Sequence, residues 1–483
     1  MDGQTQASEA GFYLPKRLIV LGHKEQRLVI NPEVANWVRL DVAEYRVLEA
    51  LSLGHSPETI AGDGASASSV SLDVAKQSVY RTCLKLLMTH MAYQAHGHGL
   101  NVRIEDSVQL KVVYYAVIQA CNLHCPYCYA DAGHRLIDEL NISESLNLID
   151  QVVEIGAQEI VFSGGEPTLR RNLLTLVEHA ARLGLKVGLI TNGTLLDRKM
   201  ALSLSHYVST VTVSLDGASA QAHDQLRGEG SFDKTCQALV YLREAGIHVA
   251  LNATLTPLNC HEIIHLHELA QEVDAVIRPS WQMPMGRGKA WGGKNLSRQA
   301  RPLLEELLAA GGSTGFLPVT ERARLINDGP PLQYTYRKRC AIANSEIAVG
   351  AQGNVYPCRL MQRPQFCAGN VRDEPLAKIY HDSAIMKQCR SLVTDDMPKC
   401  RKCYLSPFCG GGCPAVSFAY HGDLRHPPAF ICFLKRFELE LGMWLKAGYQ
   451  PYSLWERWEL HPINKLTFIP SSPQLREIPS STN

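Results

Sequence analysis

Residues 112–128 read VVYYAVIQACNLHCPYC. The first nine of them, 112–120, are almost wholly apolar and rich in β-branched and aromatic side chains, so they read as a buried strand. Directly after come Cys121, Cys125 and Cys128, spaced CxxxCxxC. Three thiolates can hold three irons of a [4Fe-4S] cluster and leave the fourth iron open, whereas a fully protein-ligated cluster needs four. An open iron at a strand end is a place to bind and reduce a small molecule. A zinc site short of one ligand, or a chance grouping in a cysteine-rich chain, are the competing readings of the spacing alone.

Further along, apolar runs recur at 159–163 (EIVFS), 186–191 (KVGLIT), 208–215 (VSTVTVSL), 247–255 (IHVALNATL) and 275–278 (AVIR). Amphipathic stretches such as 145–155 and 232–245 separate them. Six β-α repeats imply an α/β fold with a parallel sheet and helices outside. Because the runs are nearly continuous in apolar residues, a partial (βα)6 TIM-like barrel is expected over about 108–282. Active sites in such folds lie at the C-terminal ends of the strands. The short motifs fall there: Gly164-Gly165-Glu166-Pro167 after the second run, Thr191-Asn192-Gly193 after the third, Ser214-Leu215-Asp216-Gly217 after the fourth, and Asn252 on the fifth. The two glycines would let backbone approach a ligand, and Glu166 offers a carboxylate for an ammonium. Ser214 and Asp216 suit a ribose. Each motif alone is what any glycine turn closing a strand would show. Their coincidence at one end of one sheet, beside the cysteine loop, is not.

At these residues the chain resembles the radical S-adenosylmethionine (SAM) enzymes. The resemblance implies that Cys121, Cys125 and Cys128 bind the cluster and that the Tyr127 backbone meets the adenine. It assigns Gly164, Gly165, Glu166 and Pro167 to the methionine amino group, and Ser214, Asp216 and Asn252 to ribose or carboxylate contacts, with Asn192 at the same rim. The implied chemistry is chelation of SAM by the open iron, one-electron cleavage of its C5′–S bond, and hydrogen abstraction from the substrate by the radical so formed, with the protein orienting the cofactor and excluding water and oxygen.

The chain has 483 residues, a formal net charge of +1 and 15 cysteines. Its length allows two to four domains. Neither the charge nor the apolar runs point to nucleic acid or a membrane span. The start MDGQTQASEAGFY lacks a secretory signal. A cytoplasmic location is expected, and there so many cysteines suggest metal or redox chemistry rather than disulfides.

A second cysteine array occupies 336–450: Cys340, Cys358, Cys400, Cys403, Cys409, Cys413 and Cys432. Its short gaps fit zinc or iron–sulfur equally. The spacing resembles the SPASM domain of radical SAM peptide-modifying enzymes. That resemblance implies two auxiliary [4Fe-4S] clusters, three in all. It places Cys400, Cys403, Cys409 and Cys432 on the distal one and Cys340, Cys358 and Cys413 on the proximal one. Some relatives supply an eighth cysteine just before the position of Cys340; here residues 333–339 (QYTYRKR) have none. The proximal cluster is left with an open iron, able to bind a substrate thiolate, or with a borrowed ligand such as Cys367 or Cys389. Cys83, Cys236 and Cys260 read as small buried hydrophobes. Sulfatase-maturing relatives carry an Asp base directly after the cysteine matching Cys358. Here Arg359 follows, and no general base is nominated.

Residues 1–100 read as a separate unit. Strands are expected at 17–21 and 27–30. Helices are expected at 41–51, capped by Asp41 and ended before Gly54, after Ser56-Pro57, and at 73–88, with a polar loop over 62–69. This pattern suggests a winged helix. DNA binding is disfavoured because the first hundred residues hold nine Lys/Arg against ten Asp/Glu. The unit resembles PqqD-type domains, which implies that a leader peptide is held as an added strand. A glycine-rich, basic segment, 284–294, is expected to bridge barrel and cluster domain within a linker over 283–335, with Arg278 and Arg287 as cofactor or substrate contacts. The tail, 451–483, is expected to fray from Phe468 onward.

Together these readings predict a radical SAM maturase of a ribosomally made precursor peptide. It would install a thioether, carbon–carbon or carbon–oxygen crosslink and draw electrons from a flavodoxin or ferredoxin. Oxidation or epimerisation of a protein or small molecule without crosslinking is the alternative. A DNA-binding redox sensor and a non-catalytic cluster carrier are the readings from other classes.

Overall fold

The computed structural model describes residues 12–15, 17–23, 25–94, 108–291, 336–446 and 467–470. Most of the linker, the end of the glycine-rich segment at 292–294 and most of the tail lie outside them.

The N-terminal unit contains β1 (Phe12–Tyr13), β2 (Arg17–His23), β3 (Gln26–Asn31), β4 (Asn36–Asp41), α1 (Val42–Ser52), α2 (Pro57–Ala67), α3 (Leu72–Met88) and β5 (Tyr93–Gln94). Strands β2, β3 and β4 form an antiparallel meander, and β1 pairs with β5. The strand at 36–41 (NWVRLD) is unforeseen; its polar alternation hides one buried face. Asp41 caps α1 in a reciprocal box with Glu44. Ser56 caps α2, with Pro57 in its first turn. The loop expected over 62–69 is instead helical as far as Ala67. Alternation along the strands gives the sheet two apolar faces. Leu18, Val20, Val29 and Leu40 meet the helices, whereas Ile19, Leu28 and Ile30 pack on Tyr404, Leu405, Phe408, Leu434 and Trp444 of the cysteine-rich domain.

All six strands expected of the barrel are present: β6 (Val112–Ile118), β7 (Glu159–Gly164), β8 (Lys186–Thr191), β9 (Thr210–Ser214), β10 (Val249–Leu255) and β11 (Ala275–Trp281). They lie in sequential parallel order. Helices α4 (Ile142–Glu154), α5 (Leu173–Arg182), α6 (Arg198–Leu204), α7 (Ala220–Arg227), α8 (Ser231–Glu244) and α9 (Ile263–Glu272) connect them. Outward residues such as Val113, Phe162, Leu189, Val211 and Leu251 join the helices in one core. Among the described residues the barrel does not close. Past β6 the same sheet continues with β12 (Glu346–Val349), parallel to β6, and then antiparallel β13 (Asn354–Tyr356) and β14 (Gly369–Asn370).

The cysteine-rich domain adds α10 (Leu376–Asp382), α11 (Ala384–Arg390), α12 (Ser406–Cys409), α13 (Pro414–His421) and α14 (Ala429–Lys446). Strand β15 (Thr467–Pro470) pairs antiparallel with β2. Its residues were expected to fray; the open edge of β2 offers them hydrogen-bond partners.

Candidate active site at the cluster loop

After β6 the chain loops out and returns, so that Ala120 bridges to Gly133 and the Cys121 amide donates to the Gly133 carbonyl at 2.9 Å. Within the loop the Leu123 amide donates to Cys121 Sγ at 3.4 Å. Burial pushes the Cys121 and Cys125 thiols up, with the Arg227 charge acting the other way on Cys125. Both are therefore protonated when metal-free and would release protons on binding iron. Arg287 clamps the loop from the glycine-rich segment: its Nε donates to Cys125 O at 2.9 Å, one terminal nitrogen to Ala132 O at 2.7 Å, and it pairs with Asp131 at 3.1 Å. It was expected to meet cofactor or substrate and is instead a positioning residue.

The glycine motif is set against the cysteine loop. A Cβ on Gly164 would lie 2.2 Å from Ile118 O, and one on Gly165 2.2 Å from Ala120 O. Two backbone bonds lock the contact, Gly165 N to Ile118 O and Glu166 N to Ala120 O, both 2.8 Å. The glycines thus serve an approach of backbone to backbone, which sequence alone read as an approach to a ligand. Pro167 follows, buried, opening a short turn. Glu166 has a structural role that its sequence does not announce. Its carboxylate is fully buried and accepts from Thr168 N, Thr168 Oγ1, Thr191 Oγ1 and Asn192 N at 2.6–3.1 Å. Three of these bonds fall on Oε1 and one on Oε2, and they tie the ends of β7 and β8 together. Asn192 joins them to the cysteine loop, donating to Asn122 Oδ1 at 3.0 Å.

Asp216, expected at the ribose, is likewise buried. It accepts from Arg227 Nε at 2.6 Å, from Thr254 N at 2.7 Å and from the Tyr127 hydroxyl. The Arg227 guanidinium also lies 5.9 Å from the Tyr127 ring centre. Burial works most strongly against the Arg227 charge, and the Asp216 carboxylate together with Tyr127 and Cys125 outweighs it, holding the pKa well above its usual value. His223 completes the network, its Nδ1 accepting from Asp216 N at 3.2 Å. Arg227 and His223 were missed; on α7 they look like surface polar residues. Ser214 and Asn252 are arranged differently. They sit in register on neighbouring strands, and among the described residues neither side chain has a hydrogen-bond partner.

Cys400, Cys403, Cys409 and Cys432 line one apolar cavity with Gly411, Gly412 and Ile431, beside Lys399, Lys435 and Arg436. Burial and the neighbouring Cys409 push the Cys400 thiol up to about 12. Four thiols and three cations around one hollow fit an anionic four-iron cluster. Cys340, Cys358 and Cys413 form the second group: burial raises all three, and Glu346 adds to each. Cys389 is packed in the main core and Cys367 donates to Gly369 O at 3.5 Å. Among the described residues no three such ligands converge as a single ion requires. Arg359 projects from Cys358 over Tyr114, its guanidinium carbon 4.9 Å from the ring centre.

Two family patterns match the chain: the radical SAM superfamily over residues 115–270, and an iron–sulfur cluster-binding SPASM domain over 340–404. The Fe-coproporphyrin III synthase of Methanosarcina barkeri is 31% identical over 360 residues, covering 68% of this chain and 89% of that protein. The mycofactocin maturase MftC of Mycolicibacterium smegmatis is 30% identical over 305 residues, covering 62% and 76%. SuiB of Streptococcus suis, bound to its precursor peptide SuiA, shares the fold at a TM-score of 0.54 and 16% identity, covering 87% of this chain and 99% of that one. The protein is a SAM-dependent iron–sulfur enzyme by fold and site. It belongs to the radical SAM superfamily, in the branch carrying a SPASM domain, related both to peptide maturases and to haem-pathway synthases.

Proposed function

We propose that the chain is a peptide maturase that installs an oxidative crosslink in a ribosomally made precursor. The carrying observation is the N-terminal unit. One face of its sheet is seated on the distal-cysteine domain, while the outer edge of β4 has no partner strand among the described residues. Such an edge suits an added leader strand. Exposed Tyr80, Leu84 and Met88, at four-residue spacing on α3, offer apolar contacts to the same ligand. No helix among the described residues is long and apolar enough to cross a membrane; the reading places the enzyme in the cytoplasm, with a flavodoxin or ferredoxin as donor.

Three [4Fe-4S] clusters accompany this reading, on Cys121, Cys125 and Cys128, on Cys340, Cys358 and Cys413, and on Cys400, Cys403, Cys409 and Cys432. When bound, the first cluster and SAM supply a carbon radical that removes a substrate hydrogen. The chain's own part is positional. Ser214 and Asn252 orient the cofactor from the barrel wall, the Tyr127 and Gly164–Gly165 backbone borders it, and Glu166, Asp216 and Arg287 hold those loops in place. Similarity to the Fe-coproporphyrin III synthase favours a second reading, a small-molecule substrate.

One assay separates them. Anaerobically reconstituted protein is given SAM and reductant, with peptides encoded beside its gene or with iron-coproporphyrin III, and 5′-deoxyadenosine is measured. Peptide-dependent release, with a loss of about two hydrogens from the peptide for one new bond, supports the maturase. Release only with the porphyrin replaces it with the second reading. No SAM cleavage by cluster-loaded protein defeats both.

A further inference from the structure

The cavity of the distal cysteines is lined by more than thiols. From α14, Cys432, Lys435, Arg436 and Leu439 meet it, at the spacing of one helix face. Of the cations there, Lys399 is exposed, so water and salt screen its charge. Arg436 is held instead. Its Nε donates to Glu440 at 2.8 Å and its Nη2 to the Tyr404 hydroxyl at 3.0 Å. That hydroxyl in turn donates to the same Glu440 carboxylate, which closes a triangle. The guanidinium carbon lies 5.4 Å from the Tyr404 ring centre. Tyr404 and Glu440 are buried, whereas the Arg436 side chain keeps 26% of its surface. Its remaining terminal nitrogen, Nη1, has no hydrogen-bond partner among the described residues. Arg436 lines the cavity, and neither Glu440 nor Tyr404 does. The positive member of the pair is therefore the one that meets the thiols.

A largely buried ion pair is weak as a source of stability, because desolvation offsets its attraction. Its orientation here has another use. Leu405, Ile431, Leu439 and two glycines make up the rest of the wall, so a charge at that wall is poorly screened. A four-iron cluster becomes more negative on reduction, and its potential follows nearby charge and hydrogen bonds to its sulfurs. Both the charge and the free N–H edge of Arg436 are available to the cavity. We propose that Arg436, oriented by Glu440 and Tyr404, sets the reduction potential of the distal cluster, raising it so that this cluster takes up an electron more readily. This rests on the reading above in placing a [4Fe-4S] cluster on Cys400, Cys403, Cys409 and Cys432.

The test is a mediated redox titration of the reconstituted holoenzyme, followed by electron paramagnetic resonance. The distal signal is the one lost in the double variant Cys403→Ala/Cys432→Ala. In Arg436→Gln the reduced-to-oxidised ratio of that cluster at a fixed potential should fall about tenfold, which for one electron is a midpoint about 59 mV lower. Arg436→Lys keeps the charge without the planar fork and should recover part of the shift. The midpoints of the other clusters should not move, as they would if the fold had loosened generally. Iron content and melting temperature verify folding. Arg436→Gln leaves Glu440 buried without its cation; if it does not fold, Arg436→Gln/Glu440→Gln carries the test. The same direction is expected there, because the group lost from the cavity wall is the positive one. An unmoved or raised midpoint overturns the proposal. So does an equal midpoint in the Gln and Lys variants, which would make Arg436 a packing residue. If the double cysteine variant loses no signal, the distal cluster itself is refuted and this inference falls with it; a distal signal with an unmoved midpoint defeats the inference alone.

Discussion

Asp216 shows how much one buried carboxylate can hold. It joins the cysteine loop through Tyr127, α7 through Arg227 and β10 through Thr254. Asp216→Asn keeps the volume and strands the Arg227 charge, so a loss of about 3–5 kcal/mol is expected, the usual result of removing one partner of a buried pair. Urea unfolding measures it, and an unchanged midpoint would refute the role. His223 carries a pH signature. Burial, with Arg227 next in effect, lowers its pKa from 6.5 to about 4. The unfolded chain takes up this proton near pH 6.5 and the folded one does not until about pH 4. Stability from this group is thus complete above pH 6.5 and declines as pH falls towards 4, by up to about 3 kcal/mol. His223→Phe should flatten that slope in unfolding curves taken between pH 6.5 and 5. Neither role was legible in the sequence. A carboxylate that meets a ribose and one that meets a buried arginine are the same letter, and only the fold brings Arg227 within reach of Asp216.

At the scale of elements, the cysteine spacing and the six strand runs were readable, because both are local patterns. What the runs did not reveal is how the loops above them lean on one another. The ends of β6, β7 and β8 are stitched by Glu166, Asn192 and the two glycines, and the loop after β6 is pinned again by Arg287. Gly165→Ala tests this directly. The added methyl carbon falls 2.2 Å from a backbone oxygen, so the cysteine loop must shift. Electron paramagnetic resonance should show loss of the SAM-responsive cluster signal while the auxiliary signals persist; a full SAM-responsive signal would contradict the close-approach account. The strand at 36–41 and the end of α2 were misjudged for a different reason. Polar alternation hides one strand face, and Gly62 and Gly64 weaken a helix that tertiary packing nonetheless keeps.

Across the whole molecule, the distal cysteines and the N-terminal sheet share a foundation. Tyr404, Leu405 and Phe408 lie between Cys403 and Cys409 and form the floor on which Ile19, Leu28 and Ile30 rest. Cys409→Ala, which removes one thiol from the distal cavity, should therefore raise amide exchange in β2 and β3 and leave β7–β10 protected, as hydrogen-exchange mass spectrometry would report. Equal protection throughout would show the two domains to be independent. The addition of β12 to the barrel sheet has a further consequence, for synthesis on the ribosome. Glu346 pairs with Val112, so the flank of β6 emerges long before its neighbour is translated. At about 5–20 residues per second that interval is on the order of ten to fifty seconds. During it the nascent barrel shows an unpaired strand edge, the kind of surface that invites aggregation, which gives a chaperone or early-arriving iron something to protect before the last third of the chain exists.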